Sequence, residues 1–105
     1  MDLEAVRQRL TELKDREMAA RQRAIDALVA LGAGSREVVE ALTTALGDTS
    51  SGVRRRAAQA LGKLGAGAES ALPALTEATR DRVHTVRDAA RDSIAAIKAA
   101  GKEDR

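Results

Sequence analysis

A chain of 105 residues that is 44% apolar and 32% charged has the balance of one soluble globular domain, and a net charge of only +2 excludes a generally polycationic protein despite a pI near 9.5. It contains no cysteine, which excludes disulfides, thiolate nucleophiles and thiolate metal sites, and no aromatic residue, so its core must be built from Leu, Ile, Val and Ala at roughly 1.5–3 kcal/mol per buried large aliphatic side chain. No apolar run approaches the roughly eighteen residues of a membrane span, and charges interrupt the N-terminal stretch where a signal peptide has its apolar core, so a cytoplasmic location is expected.

Asp2 is placed to cap a helix in which Leu3, Val6, Leu10 and Leu13 recur at three- and four-residue spacing, predicted to end near Asp15. After a tight turn a second helix is predicted from about Met18 to Leu31, with Ala20, Ala24, Ala27, Leu28 and Leu31 on one face and Gly32 and Gly34 as its stop. Ser35, with Glu37 behind it, opens a third helix whose apolar positions are Val38, Val39, Leu42, Ala45 and Leu46. The polar, glycine-bounded run from Gly47 to Gly52 is the clearest turn, and a fourth helix follows from about Ser51 to Leu64, closed by Gly65 and Gly67. A fifth helix is predicted from about Glu69 to Arg80. It contains the only proline, Pro73, which costs about 3 kcal/mol inside a helix unless it falls in the first turn, so this helix should start late or bend. A turn from Asp81 to Thr85 leads to the last helix, which should end near Ala99 or Ala100 and leave residues 101–105 as a frayed tail.

These elements repeat. At a spacing of thirty-three, Arg21 to Gly34 (RQRAIDALVALGAG) matches Arg54 to Gly67 (RRRAAQALGKLGAG) at Arg21/Arg54, Arg23/Arg56, Ala24/Ala57, Ala27/Ala60, Leu28/Leu61 and Leu31/Leu64 and in the LGAG ending, and Val86 to Ile97 (VRDAARDSIAAI) restates the frame of Val53 to Leu64. A fixed period of this length means stacked supersecondary units that share one continuous core. The expected architecture is all-α: a short α-solenoid of three helical hairpins, six helices, wound as a right-handed α–α superhelix. It forms a single domain over 1–105, with repeats of about 1–34, 35–67 and 68–100 and a tail at 101–105. Register positions that are apolar elsewhere (Leu42 and Leu75, Ala45 and Ala78, Ile25 and Ala58) become Arg9, Glu12 and Arg91 in the outer units. The stack is therefore expected to be end-capped and monomeric, with those three residues exposed and Leu42, Ala58 and Leu75 buried.

One motif recurs in every unit: an Asp in the turn, then a small apolar residue and Arg five and six positions later. The copies are Asp15 with Ala20-Arg21, Asp48 with Val53-Arg54 and Asp81 with Val86-Arg87. An Asp near a helix start is favoured by the exposed N–H groups and the dipole, and an Arg beside it can hold its carboxylate with two bonds. On these residues the whole chain resembles three HEAT-type repeats, of the short variety also seen in bilin-lyase-like HEAT proteins. The resemblance implies that Asp15, Arg21, Asp48, Arg54, Asp81 and Arg87 form a structural ladder between neighbouring repeats. It also implies that the first helix of each pair lies on the convex side and the second on the concave side. The third unit departs from the LGKLG ending, with Ala95-Ala96-Ile97-Lys98 in its place.

No catalytic constellation is legible, and no cofactor or metal is implied. The single histidine, His84, falls in a turn without a nucleophile or second ligand; Asp88 and Asp92 lack the further oxygen ligands that calcium requires; the LGAG glycines follow no strand and precede no GKS or GKT. The reading is a non-enzymatic protein-binding or scaffold module with an unidentified protein partner. Its working surface should be the strip of second-helix residues that point away from the apolar stripe: Gln22, Arg23 and Asp26, then Arg55, Arg56, Gln59 and Lys63, then Asp88 and Asp92. Two alternatives are a purely structural or engineered repeat and a nucleic-acid backbone held by the basic middle repeat, which carries five basic and three acidic side chains. The aspartates of the third repeat and the lack of aromatics for base stacking disfavour nucleic acid.

Overall fold

The computed structural model describes residues 2–31 and 34–103, so the break expected at Gly32 lies outside the described residues. Helix α1 (Leu3–Glu12) is capped by Asp2, whose carboxylate accepts the N–H groups of Glu4 and Ala5. Helix α2 (Met18–Ala30) follows, then α3 (Arg36–Ala45) with Ser35 accepting the Val38 N–H, and α4 (Ser51–Leu64) with Ser50 accepting that of Val53. A 3-10 segment (Gly65–Ala71) leads into α5 (Leu72–Ala78), and α6 (His84–Glu103) closes the chain. No strand occurs among the described residues.

The expectation of six separate helices needs correction: no loop parts α4 from α5, so the described residues form five helical stretches, the fourth of them (51–78) kinked at Gly65 and Ala68. Gly65, at φ +62° and ψ −134°, ends the α-helical bonding of α4 in a conformation that only glycine adopts freely. The chain then continues in 3-10 turns, interrupted by non-helical dihedrals at Ala68 (φ −103°, ψ 16°), and crosses into the other layer without an open loop. Pro73 sits in the first turn of α5, where no intrahelical partner awaits its missing N–H, and α5 accordingly starts at Leu72 and not at Glu69.

Two other boundaries shift. Helix α1 stops at Glu12, before Asp15, because Lys14 and Asp15 already donate to Thr11 and Glu12 in tighter turns. Helix α6 does not end at Ala100 but runs on to Glu103, so residues 101–103 are no frayed tail; Asp104 and Arg105 lie outside the described residues. The 3-10 segment packs along α6, and a Cβ on Gly101 would come within 2.7 Å of the Glu69 carboxylate. That close approach is what a glycine inside the helix permits there.

The helices form two layers, which gives Cα extents of 33 × 33 × 17 Å. Helices α2, α4 and α6 lie side by side with α4 in the middle, while α1 packs on α2, α3 on α4, and α5 with the 3-10 segment on α6. Between the layers Ile25, Leu28, Val38, Leu42, Val53, Leu61, Leu75 and Ile97 are essentially inaccessible to solvent. Small residues bring the helices close: Gly62 faces Ser93, whose buried hydroxyl donates to the Ala58 carbonyl at 2.5 Å. Leu42, Ala58 and Leu75 are fully buried and Arg91 is exposed. Arg9 and Glu12, expected in open solvent, are instead partly buried, because they close on each other through two hydrogen bonds of 3.0 and 3.1 Å.

Candidate functional site

The turns are built from one repeated device. Asp15, Asp48 and Asp81 each accept the backbone N–H two residues on, from Glu17, Ser50 and Val83, at 2.9 Å. The arginine six positions after each aspartate donates back to its own turn. Arg21 reaches the carbonyls of Asp15 and Arg16 at 2.9 and 3.0 Å, Arg54 those of Asp48 and Thr49 at 2.8 and 3.3 Å, and Arg87 that of Asp81 at 2.8 Å.

The first two arginines also cross to the next turn. Arg21 donates Nε and NH2 to the Asp48 carboxylate at 2.9 and 3.0 Å, and Arg54 does the same to Asp81 at 2.8 and 3.2 Å. Each such arginine thus joins the carbonyls of one turn to the carboxylate of the next, in the planar two-bond geometry a guanidinium favours. The Arg54 hydrogen bond, outweighing the effect of burial, holds the Asp81 carboxyl below the usual carboxylate range. At Asp48 burial acts the other way and is overcome by hydrogen bonds from Arg21 and the Ser50 N–H and by the charges of Arg21 and Arg54. Arg21 is pushed up by its bond to Asp48. No arginine side chain reaches the Asp15 carboxylate and no carboxylate lies against Arg87 among the described residues.

The outward faces of α2, α4 and α6 carry the strip. Arg23 and Asp26 are exposed on α2, Gln59 and Lys63 on α4, and Asp88 and Asp92 on α6, while Gln22, Arg55 and Arg56 are half-buried. Gln59, Lys63 and Asp92 line a groove of about 430 Å³ between α4 and α6, floored by Gly62, Ala89 and Ser93. Gln59 and Lys63 also line a smaller recess of about 140 Å³ between α2 and α4, together with Asp26 and Arg56. Gln22 stands apart, its amide lying over Gly52 at the start of α4. Asp88 lies 3.6 Å from Arg91 on its own helix.

A contact that sequence reasoning missed changes the charge of this strip. Arg56 donates to Asp26 at 2.7 Å, across from α4 to α2. The three consecutive arginines therefore divide: Arg54 is held by Asp81, Arg56 by Asp26, and Arg55 alone makes no ion pair among the described residues. The signal was present as a spacing of thirty, one helical turn short of the thirty-three-residue period, which places the two side chains diagonally on adjacent stacked helices.

His84 is the first residue of α6 and exposed, where the sequence had placed it in a turn. No group of three or more histidine, aspartate or glutamate side chains is arranged to hold a metal ion among the described residues, and none of their helices is long and apolar enough to cross a membrane. No curated protein is similar enough to the chain to count as a match. The family model for HEAT repeats, in contrast, matches residues 3–95, which covers α1 to α5 and the first part of α6. With the three turn motifs, the paired helices and the shared core in view, the chain belongs to the HEAT-repeat family.

Proposed function

We propose that this protein is a non-enzymatic interaction or scaffold module. Its three hairpins form a short right-handed solenoid over one domain, and the row of α2, α4 and α6 is the concave side that receives a segment of a partner protein. HEAT repeats commonly mediate protein–protein interaction, which supports this reading at the level of the family. The observation that carries it further is the groove between α4 and α6, open and lined by Gln59 and Lys63 on one wall and Asp92 on the other. Opposite charges facing each other across an open channel suit a partner segment that carries charges in the complementary order. Such pairing sets orientation and association rate more than affinity. Because this chain supplies no aromatic anchor, binding through the strip is expected to be of micromolar class, about −8 kcal/mol.

The test is recovery of a specific partner at physiological salt by the wild-type chain and by the double variant Arg55→Glu, Lys63→Glu, at residues that engage no carboxylate among the described residues. Recovery is expected to fall at least tenfold with melting unchanged. The control Arg36→Glu, Glu40→Arg, on the opposite layer, should recover the partner as wild type does. Equal recovery by both variants would sink the strip as the binding surface.

A further inference from the structure

On the other layer the structure leaves a recess open between α1 and α3, of about 460 Å³, within the range that seats a large side chain or small ligand. Its walls are Leu10, Leu13, Ala41, Ala45 and Val53. Of its polar lining, Arg21 and Asp48 are already bonded to each other, whereas Lys14 is exposed and forms no ion pair among the described residues.

What sets this junction apart is its apolar lining, for the groove at the next one, about 420 Å³ between α3 and the 3-10 segment, is walled by Arg36, Glu40, Thr43, Thr44 and Ser70. Advancing each position by thirty-three, the junction between α3 and α5 carries Thr43 for Leu10, Glu77 for Thr44, Arg80 for Gly47 and Arg82 for Thr49. A wall leucine is thus replaced by a polar residue, and two threonines and a glycine at the edge become long charged side chains able to reach across. Burial follows the same division. Ala45 and Leu13 are half-buried, while their counterparts Ala78 and Leu46 are buried.

We infer that the α1/α3 recess is a second docking site, for a protein segment that presents a large aromatic side chain beside a carboxylate. Two facts select that occupant. These 105 residues include no aromatic, so a second copy of them cannot supply the rigid, large-area anchor that fits an apolar recess of this size. Among the described residues the only charge left unmatched in the lining is the Lys14 ammonium, which an acidic neighbour of the anchor would meet. The site lies on the opposite layer from the α2/α4/α6 strip and does not depend on it.

N-acetyltryptophan, which carries the indole and one carboxylate, is a suitable probe, with N-acetyltryptophanamide as the neutral form and tryptamine as the cation. In a titration of the full chain followed by two-dimensional NMR, N-acetyltryptophan should shift the amides of Leu13, Lys14, Ala45 and Gly47 saturably. The neutral amide should bind at least threefold more weakly, and tryptamine more weakly still. Lys14→Ala should bring N-acetyltryptophan down to the affinity of the amide. Thr49→Arg places at an exposed position the side chain that the next junction already carries. It adds a positive charge yet covers the recess, so it should weaken binding at least tenfold. Tighter binding to Thr49→Arg would show a merely electrostatic surface contact and overturn the proposal. So would shifts confined to the α4/α6 groove, or concentration-dependent shifts of the same amides without probe, which would place a second copy there.

Discussion

Arg54 is the single buried charged side chain among the described residues, and its four hydrogen bonds join its own turn to Asp81, twenty-seven residues further on. Removing one member of a buried, fully bonded ion pair leaves the other charge without compensation. Arg54→Ala is therefore expected to lower stability by about 3 kcal/mol, read as a fall in the urea midpoint at constant slope. The exposed pair of Arg36 and Glu40 at 3.1 Å should behave differently, and Arg36→Ala should leave the midpoint unchanged. The same brackets set the response to acid. Asp48 and Asp81 have folded pKa values depressed below the unfolded value, so their contribution is fully present above that unfolded value, about pH 3.9. It is lost as pH falls through the folded values. The melting temperature should thus hold from pH 7 to about pH 5 and drop below pH 4, and Asp81→Asn should flatten that drop; a midpoint of acid unfolding near pH 6 would contradict it. The recurring Asp and Arg positions were legible in the sequence because their spacing is fixed. Which arginine meets which aspartate was not, since crossing from one turn to the next depends on the stacking distance between hairpins and not on any residue within one of them.

At the scale of the helices, glycine and alanine decide how closely neighbours approach. A Cβ on Gly62 would stand 2.6 Å from the Ser93 hydroxyl and 3.1 Å from its Cα, so α4 and α6 must separate to admit it. Gly62→Ala is expected to cost about 1–3 kcal/mol in spite of the better helix propensity of alanine, measured by chemical denaturation. Gly65→Ala acts through the backbone: it forces a side chain into a conformation reserved for glycine, at about 2 kcal/mol. A crystal structure of that variant should show the α4 terminus rearranged. Helix existence was readable from the three- and four-residue spacing of Leu, Val and Ala, and the caps Asp2 and Ser35 are where their chemistry placed them. The 3-10 bridge was not readable. Gly65 and Gly67 carry the same stop signal as any helix-ending glycines, whereas the packing of residues 65–71 along α6 holds the chain in kinked 3-10 turns instead of an open loop. The extension of α6 through Gly101 has the same origin, for the propensity penalty of one glycine, about 1 kcal/mol, is outweighed by contact with the 3-10 segment.

Across the whole molecule, two thin layers share one aliphatic core, and each layer offers a different outer surface: a polar strip along α2, α4 and α6, and an apolar recess between α1 and α3. The strip was legible as positions that recur every thirty-three residues. Its charge was not, because Asp26 meets Arg56 across two helices and removes part of the positive charge that the arginine run suggests. That pairing also argues against a nucleic-acid backbone, whose affinity grows with the number of free cations offered. Binding of unrelated DNA sequences should be undetectable near 0.15 M salt in a fluorescence anisotropy titration; tight binding that falls steeply with added salt would reverse that conclusion. The recess escaped the sequence reading because it consists of what is small or absent at Thr44, Gly47 and Thr49, and absence carries no periodic signal. The central claim, that partners are met along the second helices, is tested most directly by placing a photoreactive side chain at Gln59 in one variant and at Glu40 in another, both exposed positions on opposite layers, and cross-linking in cell extract. The account predicts a discrete adduct from position 59 that disappears when Arg55→Glu and Lys63→Glu are added, and none from position 40. An adduct from position 40 with none from position 59 would contradict it.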